Sequence, residues 1–313
     1  MKKVLLDFDI GTEIDDAIAL AYLLANPECE LVGITTSCGE SIKRAEMASV
    51  LCRAAGKKVP IHAGCERPLL IPQMETTAPQ AAILPHYEHD TGFAPNTAIP
   101  FMQKVIRENP GEVTLLAVAP MTNLGLLFAM DPELPELLDG LYLLCGSPTH
   151  QRHDVVTESL SAMERDDFIR VLASQGILEN NSIVDPHATS IVYRARCRNF
   201  VNIGNNVSSR VVMTPEEAER RFRHPIMQVV MSIAREWFKD EPRVSFHDPL
   251  AAVSIFEPDV CGFARGKVEI ELASRQLMGV THFTRDPAGP HEIADTVDPA
   301  RFFDCFFGAF AKA

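Results

Sequence analysis

Positive charge is what this 313-residue chain has least to spare: 29 Lys and Arg stand against 42 Asp and Glu, a net of −13 at pH 7. A chain so acidic is repelled as a whole by nucleic acid and by anionic membrane, so neither is expected as a partner. Long apolar runs are also missing, and none approaches the roughly 18 residues that a membrane-spanning helix requires. The apolar start at Lys2-Lys3-Val4-Leu5-Leu6 is interrupted by Asp7 and Asp9, too early for a signal peptide. Eight cysteines, at positions 29, 38, 52, 65, 145, 197, 261 and 305, include no C-x-x-C pair and no regular spacing. That excludes the common zinc-ribbon patterns and argues for reduced, buried thiols in a cytoplasmic protein. There is no internal repeat and no Gly/Ser linker, so a single domain over residues 1–313 is expected.

What is present is an alternation of apolar runs with helical patterns. Val4 to Phe8, Leu31 to Thr36, Val59 to Ala63, Val113 to Val118 and Leu141 to Leu144 read as strands. Between them lie helical patterns from Asp15 to Asn26, stopped by Pro27, from Ser41 to Ala55, closed by Gly56, and from Thr122 to Met130. Continuously apolar strands alternating with helices indicate an α/β protein with an open, mainly parallel sheet covered by helices on both faces. Residues 66–96, with five prolines and little periodicity, read as a long loop of the kind that is usually functional or mobile. The stretch from Val297 through Phe302, Phe303, Phe306, Phe307 and Phe310 reads as an amphipathic closing helix whose Phe stripe belongs to the core or a subunit interface.

Ligands of an open parallel sheet lie beyond the carboxyl ends of its strands. The first strand ends in Asp7-Phe8-Asp9-Ile10-Gly11-Thr12-Glu13-Ile14-Asp15-Asp16, five carboxylates in ten residues. Alternation along a strand puts Asp7 and Asp9 on one face, while Asp15 and Asp16 fall in the first turn of a helix, where the dipole favours them. Crowding of this kind costs repulsion unless a cation offsets it, and hard oxygen donors without a nearby His or Cys pair point to Ca²⁺ or Mg²⁺. Taken singly, Asp15 or Asp16 is an N-cap and Glu13 a solvated loop residue. Far along the chain, Asp248 before Pro249 reads as an N-cap with Pro at the first helical position. His247 beside it is a proton donor titrating near neutrality or a packed core histidine.

Asp7-Phe8-Asp9-Ile10-Gly11 running into Ile14-Asp15-Asp16-Ala17 resembles the N-terminal signature of the inosine–uridine-preferring nucleoside hydrolases. His247-Asp248-Pro249-Leu250-Ala251 resembles that family's C-terminal motif. Ala119-Pro120-Met121-Thr122-Asn123-Leu124, Leu143-Leu144-Cys145-Gly146, and Glu179-Asn180-Asn181 followed by Asp185-Pro186-His187-Ala188 resemble its middle segments, in the right order. The resemblance implies a mixed sheet with a Rossmann-like core, the nucleoside hydrolase fold. It also implies Ca²⁺-dependent hydrolysis of the N-glycosidic bond of ribonucleosides to free base and ribose.

Carried over position by position, Asp9, Asp16 and Asp248 are the metal carboxylates, the backbone carbonyl of Val118 completes the protein ligands, and no organic cofactor is implied. Asp9 is also the general base toward the attacking water. Asp15 grips the 2′-hydroxyl, Glu179 and Asn181 hold the other sugar hydroxyls, and His247 is the acid for the departing base. Glu40 stands where many members carry a site-contacting Asn. His86 and His89 lie in the long loop within reach of a base, and Ser174 or Gln175 stand in for the amide residue that helps hold the 5′-hydroxyl. Family members are commonly homodimers or homotetramers. Two other readings compete. One is a nucleoside- or sugar-binding homologue without activity, motivated by Glu40 and the long 147–178 segment. The other is a phosphotransferase of the haloacid-dehalogenase type, whose Asp-x-Asp-Gly-Thr nucleophile motif the Asp7–Thr12 segment approaches.

Overall fold

In the computed structural model, residues 1–148, 178–239 and 241–311 are described. The strands are β1 (Lys2–Phe8), β2 (Cys29–Thr36), β3 (Ile61–Ala63), β4 (Val113–Ala117), β5 (Gly140–Leu144), β6 (Phe200–Ile203), β7 (Val212–Met213), β8 (Val244–Ser245), β9 (Cys261–Ile270), β10 (Thr281–Arg285) and β11 (His291–Val297). Among the described residues nine of them form one sheet in the order β10-β9-β11-β6-β5-β4-β1-β2-β3. From β11 to β3 every pairing is parallel, while β9 and β10 add antiparallel strands at one edge. The sheet is therefore mixed and mainly parallel, as the sequence indicated.

The expected strands form with small shifts at their ends. β3 begins at Ile61 rather than Val59, because Pro60 has no N–H to contribute to a ladder; its carbonyl instead accepts from Ile34 at 2.9 Å. The helix Asp15–Ala25 is buried along all eleven of its residues, since its apolar positions run right round the axis and helices Pro225–Trp237, His247–Ser254 and Pro299–Ala311 pack around it. It ends at Asn26, whose extended backbone precedes Pro27. The closing helix spans Pro299–Ala311, not from Val297: Val297 finishes β11, and the Asp298 carboxylate caps the helix by accepting from the N–H groups of Ala300 and Arg301, each at 3.1 Å. Its Phe302 and Phe306 are fully buried and pack on Phe246 at ring distances of 5.7 and 5.6 Å. The Phe stripe thus belongs to the core.

Two hydrophobic clusters sandwich the sheet, one gathering Phe8, Leu20, Leu51, Ile203 and Phe246, the other Leu5, Leu115, Leu124, Leu143 and Ile293. The second is pinned by a buried histidine. His291 opens β11 with 1 % of its surface exposed; its Nδ1 accepts from the Val268 N–H at 2.9 Å and its Nε2–H donates to the Tyr193 carbonyl at 3.0 Å. Acceptance at Nδ1 requires the neutral ring, and burial lowers its pKa to about 4, with the Tyr193 carbonyl, which accepts from either form, working the other way. A depressed folded-state pKa means stability that is full above the unfolded value near 6.5 and lost as pH falls through about 4. Urea unfolding at pH 7.5 and pH 4 checks this: His291→Gln is less stable at pH 7.5, and its deficit relative to wild type shrinks by up to about 3 kcal/mol toward pH 4. A pH-independent deficit would exclude the linkage.

Candidate active site

The chain builds β1, β2 and β3 outward on one side and then places β4 on the other side of β1, so strand order reverses between β1 and β4. A crevice opens there beyond the strand ends. Asp9, just past the end of β1, and Val118, just past β4, both line a cavity of about 200 Å³ at this point.

Asp7 does not line it. Alternation places Asp7 and Asp9 on a common face only while the strand continues, and β1 stops at Phe8. The Asp7 Oδ1 accepts from Thr35 Oγ1 at 2.6 Å and from Asn123 Nδ2 at 2.8 Å, which ties β1 to β2 and to the helix Thr122–Met130. Burial lifts its pKa to about 6 against those two hydrogen bonds. The expected shared face is thereby corrected, and Asp7 is a structural carboxylate rather than a nucleophile facing the cavity.

After Asp9 the chain turns through Gly11, whose φ of +122° is glycine territory. The turn is held by Arg44, a fully buried guanidinium from the helix Ser41–Ala54. Arg44 donates to the carbonyls of Asp9, Ile10 (3.1 Å), Gly39 (2.8 Å) and Thr77 (3.3 Å) and to the Thr12 hydroxyl (3.0 Å). Asp15 and Asp16 open the helix Asp15–Ala25 from behind an N-cap, Ile14, that offers no side-chain bond. Neither aspartate caps the helix; both are buried cavity walls, and Asp16 Oδ1 accepts from the Asp9 N–H at 3.1 Å.

Asp248 departs from expectation in the same way. The helix His247–Ser254 begins one residue before it, with Phe246 at the N-cap, so Asp248 sits inside the first turn. Its N–H donates to Asp15 Oδ2 at 3.3 Å, and its carboxylate turns toward Asp15 and Asp16 instead of back onto its own helix. One carboxylate oxygen from each of these three residues lies within 4.8 Å of the other two.

The opposite wall comes from the ends of β5 and the helix Asn180–Val184. Gly146, at φ +73°, turns so close to Thr281 that a Cβ would lie 2.3 Å from its methyl, and its N–H donates to Glu179 Oε2 at 2.6 Å. Glu179 also accepts from the N–H groups of Asn181 (2.7 Å) and Ser182 (3.1 Å). Asn181 Nδ2 donates to the carbonyls of Val118 (2.9 Å) and Leu144 (3.0 Å). The third motif residue of this block, Asp185, is structural: it caps the helix Pro186–Tyr193 and accepts from Leu69 and Thr122.

Of the residues expected from sequence, Asp9, Asp15, Asp16, Val118, Glu179, Asn181, His247 and Asp248 all line the one cavity. Glu40 does not. It occupies the N-cap of Ser41–Ala54 with φ +58°, and its carboxylate is taken up by Lys43 at 2.5 Å and the Ala78 N–H at 2.8 Å. His86 and His89 also lie off the lining, with the His89 ring on the Tyr87 carbonyl. Ser174 and Gln175 fall outside the described residues. Three further charged residues contribute to the wall or its support. Glu13, read as solvated, is exposed yet forms part of the wall. Glu75 reaches in from the long loop and accepts from Asn180 Nδ2. Arg44 supports the floor. The only sequence signal was Arg44 itself, a cation among Ala45, Met47 and Ala48 on an inward-facing helix.

Among the described residues no Lys or Arg lines the cavity. Burial pushes the Asp9 carboxyl up to about 8, with Arg44 opposing and Glu75, Asp15 and Asp7 adding to the rise. Asp16 and Asp248 are driven well above the usual carboxylate range by burial and then by neighbouring carboxylates, Asp9 and Asp15 for Asp16, Asp15 and Asp16 for Asp248. Glu179 rises to about 7 through burial, held back by its three amide bonds. Buried oxygen donors this close, with no basic side chain among them, fit a hard divalent cation. A second grouping, Asp9, Cys38 and Glu75, includes a thiol and suits such an ion less well.

The family model described as inosine-uridine preferring nucleoside hydrolase matches residues 4–304. The chain is 25% identical over 99% of its length to the inosine-uridine preferring nucleoside hydrolase of Crithidia fasciculata, covering 98% of that protein. It is 26% identical to a pyrimidine-specific ribonucleoside hydrolase RihA of Klebsiella pneumoniae, with 89% of this chain and 87% of that one aligned. Among solved structures, an inosine-uridine preferring nucleoside hydrolase from Bacillus anthracis superposes with a TM-score of 0.79 at 19% identity over 100% of both chains. A purine-preferring ribonucleoside hydrolase from Gardnerella vaginalis superposes at 0.76 and 20% identity, over 99% of this chain and 98% of that one.

The cation site has a direct test. EDTA-treated protein gains thermal stability on addition of Ca²⁺ or Mg²⁺, by about 2.7 kcal/mol when the ion is 100-fold above its dissociation constant. Asp16→Asn loses most of that response. Melting curves indifferent to both chelator and ions would remove the site.

Proposed function

The chain belongs to the inosine-uridine preferring nucleoside hydrolase family, metal-dependent N-glycosidases, and from that premise we propose that it hydrolyses ribonucleosides to free base and ribose with Ca²⁺ as its ion. The observation that carries the proposal is the meeting of Asp15, Asp16 and Asp248, from two motifs more than 230 residues apart, within 4.8 Å in the switch-point cavity.

Asp9, Asp16 and Asp248, with the carbonyl of Val118, are the groups to hold the ion. When bound, Ca²⁺ supplies a template for a vicinal diol and makes water more acidic. Asp9 takes the proton of the attacking water as general base; the Arg44 bonds to the carbonyls around its turn fix where its carboxylate stands. Asp15 receives the 2′-hydroxyl of the ribose, and Glu179 and Asn181 receive its other hydroxyls; both side chains are already locked by backbone groups, so little ordering remains on binding. As the base departs, the sugar acquires oxocarbenium character, and the surrounding carboxylates stabilise that positive charge. His247 donates a proton to the departing base, with the Asp15 carboxylate favouring its charged form against burial. Direct attack by water inverts the anomeric carbon. The same reading makes this a single-domain cytoplasmic enzyme of nucleoside salvage, assembled as a homodimer or homotetramer.

The test is ribose release from a panel of purine and pyrimidine nucleosides, with and without chelator. Chelator-sensitive release from at least one is expected; binding of nucleoside without release would favour the inactive binding homologue. Asp9→Asn lowers kcat by about 10²–10⁴-fold or more while the chain stays folded by circular dichroism. Near-normal turnover would refute its role as base. His247→Ala slows inosine and uridine by about 10²-fold or more but p-nitrophenyl riboside, whose leaving group needs no acid, by far less. Equal losses on the two kinds of substrate would take His247 out of the acid role.

A further inference from the structure

We infer that Ser208 is a positioning residue for His247: it holds the ring as the Nδ1–H tautomer, so that proton delivery to the departing base runs through Nε2. The inference rests on the acid role proposed above for His247.

Ser208 ends the short helix Asn205–Ser208 and is fully buried. Its Oγ lies 2.7 Å from His247 Nδ1 and 3.1 Å from the carbonyl of Gly204. A carbonyl can only accept, and a hydroxyl has one proton to give. Two oxygens 3.1 Å apart are best held by a proton between them, so we assign the hydroxyl proton to the Gly204 carbonyl; the short contact to the ring is then an Nδ1–H donating to Oγ, and Nε2 is the ring nitrogen that Ser208 leaves for proton transfer.

The contact is built into the fold. β7 and β8 pair as a small antiparallel ribbon, Val212 opposite Ser245 and Met213 opposite Val244. The Phe246 N–H extends that clamp by donating to the Val211 carbonyl at 2.8 Å. The ribbon thus fixes the segment that carries Ser208 against the residue preceding His247. Val211 and Phe246, which extend the ribbon, are both fully buried.

The chemistry follows from that hydrogen bond. Oγ accepts from Nδ1–H whether the ring is neutral or cationic, so Ser208 suits both states without rotating. In the transfer, the Nε2–H bond breaks, its electron pair stays on Nε2, and the proton goes to the leaving nitrogen of the base. The ring is left neutral with Nδ1–H still on Ser208. The next proton from solvent returns to Nε2, and no ring flip intervenes. Glu13, Asp15, Glu241 and Arg243 share a pocket with the ring, and of these Asp15 favours its cation while Arg243 opposes it. Orientation therefore falls to the neutral Ser208 contact.

The test pairs spectroscopy with kinetics. Nitrogen-15 NMR of histidine-labelled protein at pH 8, with His247→Gln used for assignment, reports which ring nitrogen carries the proton. A protonated Nδ1 is expected in wild type and a mixed tautomer in Ser208→Ala. In the same variant kcat for inosine and uridine falls about tenfold or more, KM stays within about twofold, and p-nitrophenyl riboside is nearly unaffected. Ser208→Thr, which keeps the hydroxyl, restores the natural substrates. A wild-type Nε2–H tautomer, or equal losses on activated and natural substrates, overturns the inference. A chain that releases ribose from no nucleoside defeats the functional reading instead, and the spectrum alone then decides whether Ser208 sets the tautomer.

Discussion

Like charge forced into a buried crevice is the constraint around which this molecule is arranged. Asp9, Asp15, Asp16 and Asp248 are each less than 8 % exposed, and three of them meet within 4.8 Å. Isolated burial of even one ionised carboxylate costs several kcal/mol. The fold offsets part of that with directed polarity: the dipole at the start of Asp15–Ala25, the Asp9 N–H on Asp16, the Asp248 N–H on Asp15, and the buried Arg44 behind the Asp9 turn. What remains unrelieved is the part a divalent cation would neutralise. Arg44 does not enter the cavity, so it steadies the turn without competing for that place.

The same bookkeeping of polar partners separates structural acids from working ones. Asp7 and Asp185 are fully buried, yet each is tied to protein donors, Thr35 and Asn123 on one oxygen of Asp7, and Leu69, Thr122 and Ala188 across both oxygens of Asp185. They fasten β1, the long loop and the helices Thr122–Met130 and Pro186–Tyr193 together. Asp9, Asp15, Asp16 and Asp248 have few such partners and face open volume. Spacing alone does not make this distinction, since Asp7 and Asp9 belong to one motif and differ only in whether the strand has ended.

That limit explains what was legible beforehand. The parallel sheet, the helices behind it and the position of the crevice follow from runs such as Val113–Val118 and from the place where the first strand turns acidic, because burial on both faces leaves a continuous apolar imprint. The acids Asp9, Asp15, Asp16 and Asp248 were readable because their motifs are local. Taken alone, Asp248 reads as a cap because Asp-Pro has that meaning in isolation, and the long-range approach of Asp15 turns its carboxylate elsewhere. Glu75 and Arg44 were not readable: one sits in an aperiodic segment, and the other looks like any helix cation until the turn it supports is folded against it. Glu40 shows the converse. A matching position in the motif does not bring a side chain to the site when Lys43 and the Ala78 N–H lie nearer.

The C-terminal part of the chain bears on the site more than its distance suggests. His247 and Asp248 follow the short strand β8 rather than a strand of the main sheet; their helix is set by the fully buried Phe246, which packs edge-on against Phe222, Phe302, Phe303 and Phe306. Aromatic contacts of this kind fix orientation as well as depth, because edge-to-face geometry is preferred over free sliding. Tyr22, on the same helix as Asp15 and Asp16, stacks on Phe306 at 5.6 Å. One Phe-rich helix therefore touches both the segment that brings Asp15 and Asp16 and the segment that brings Asp248. The distance between those carboxylates is set by aromatic packing on the far side of the two helices, away from the acids. Repulsion that would push the acids apart acts against that packing, and the cavity keeps its shape because the core is stiffer than the electrostatics is strong.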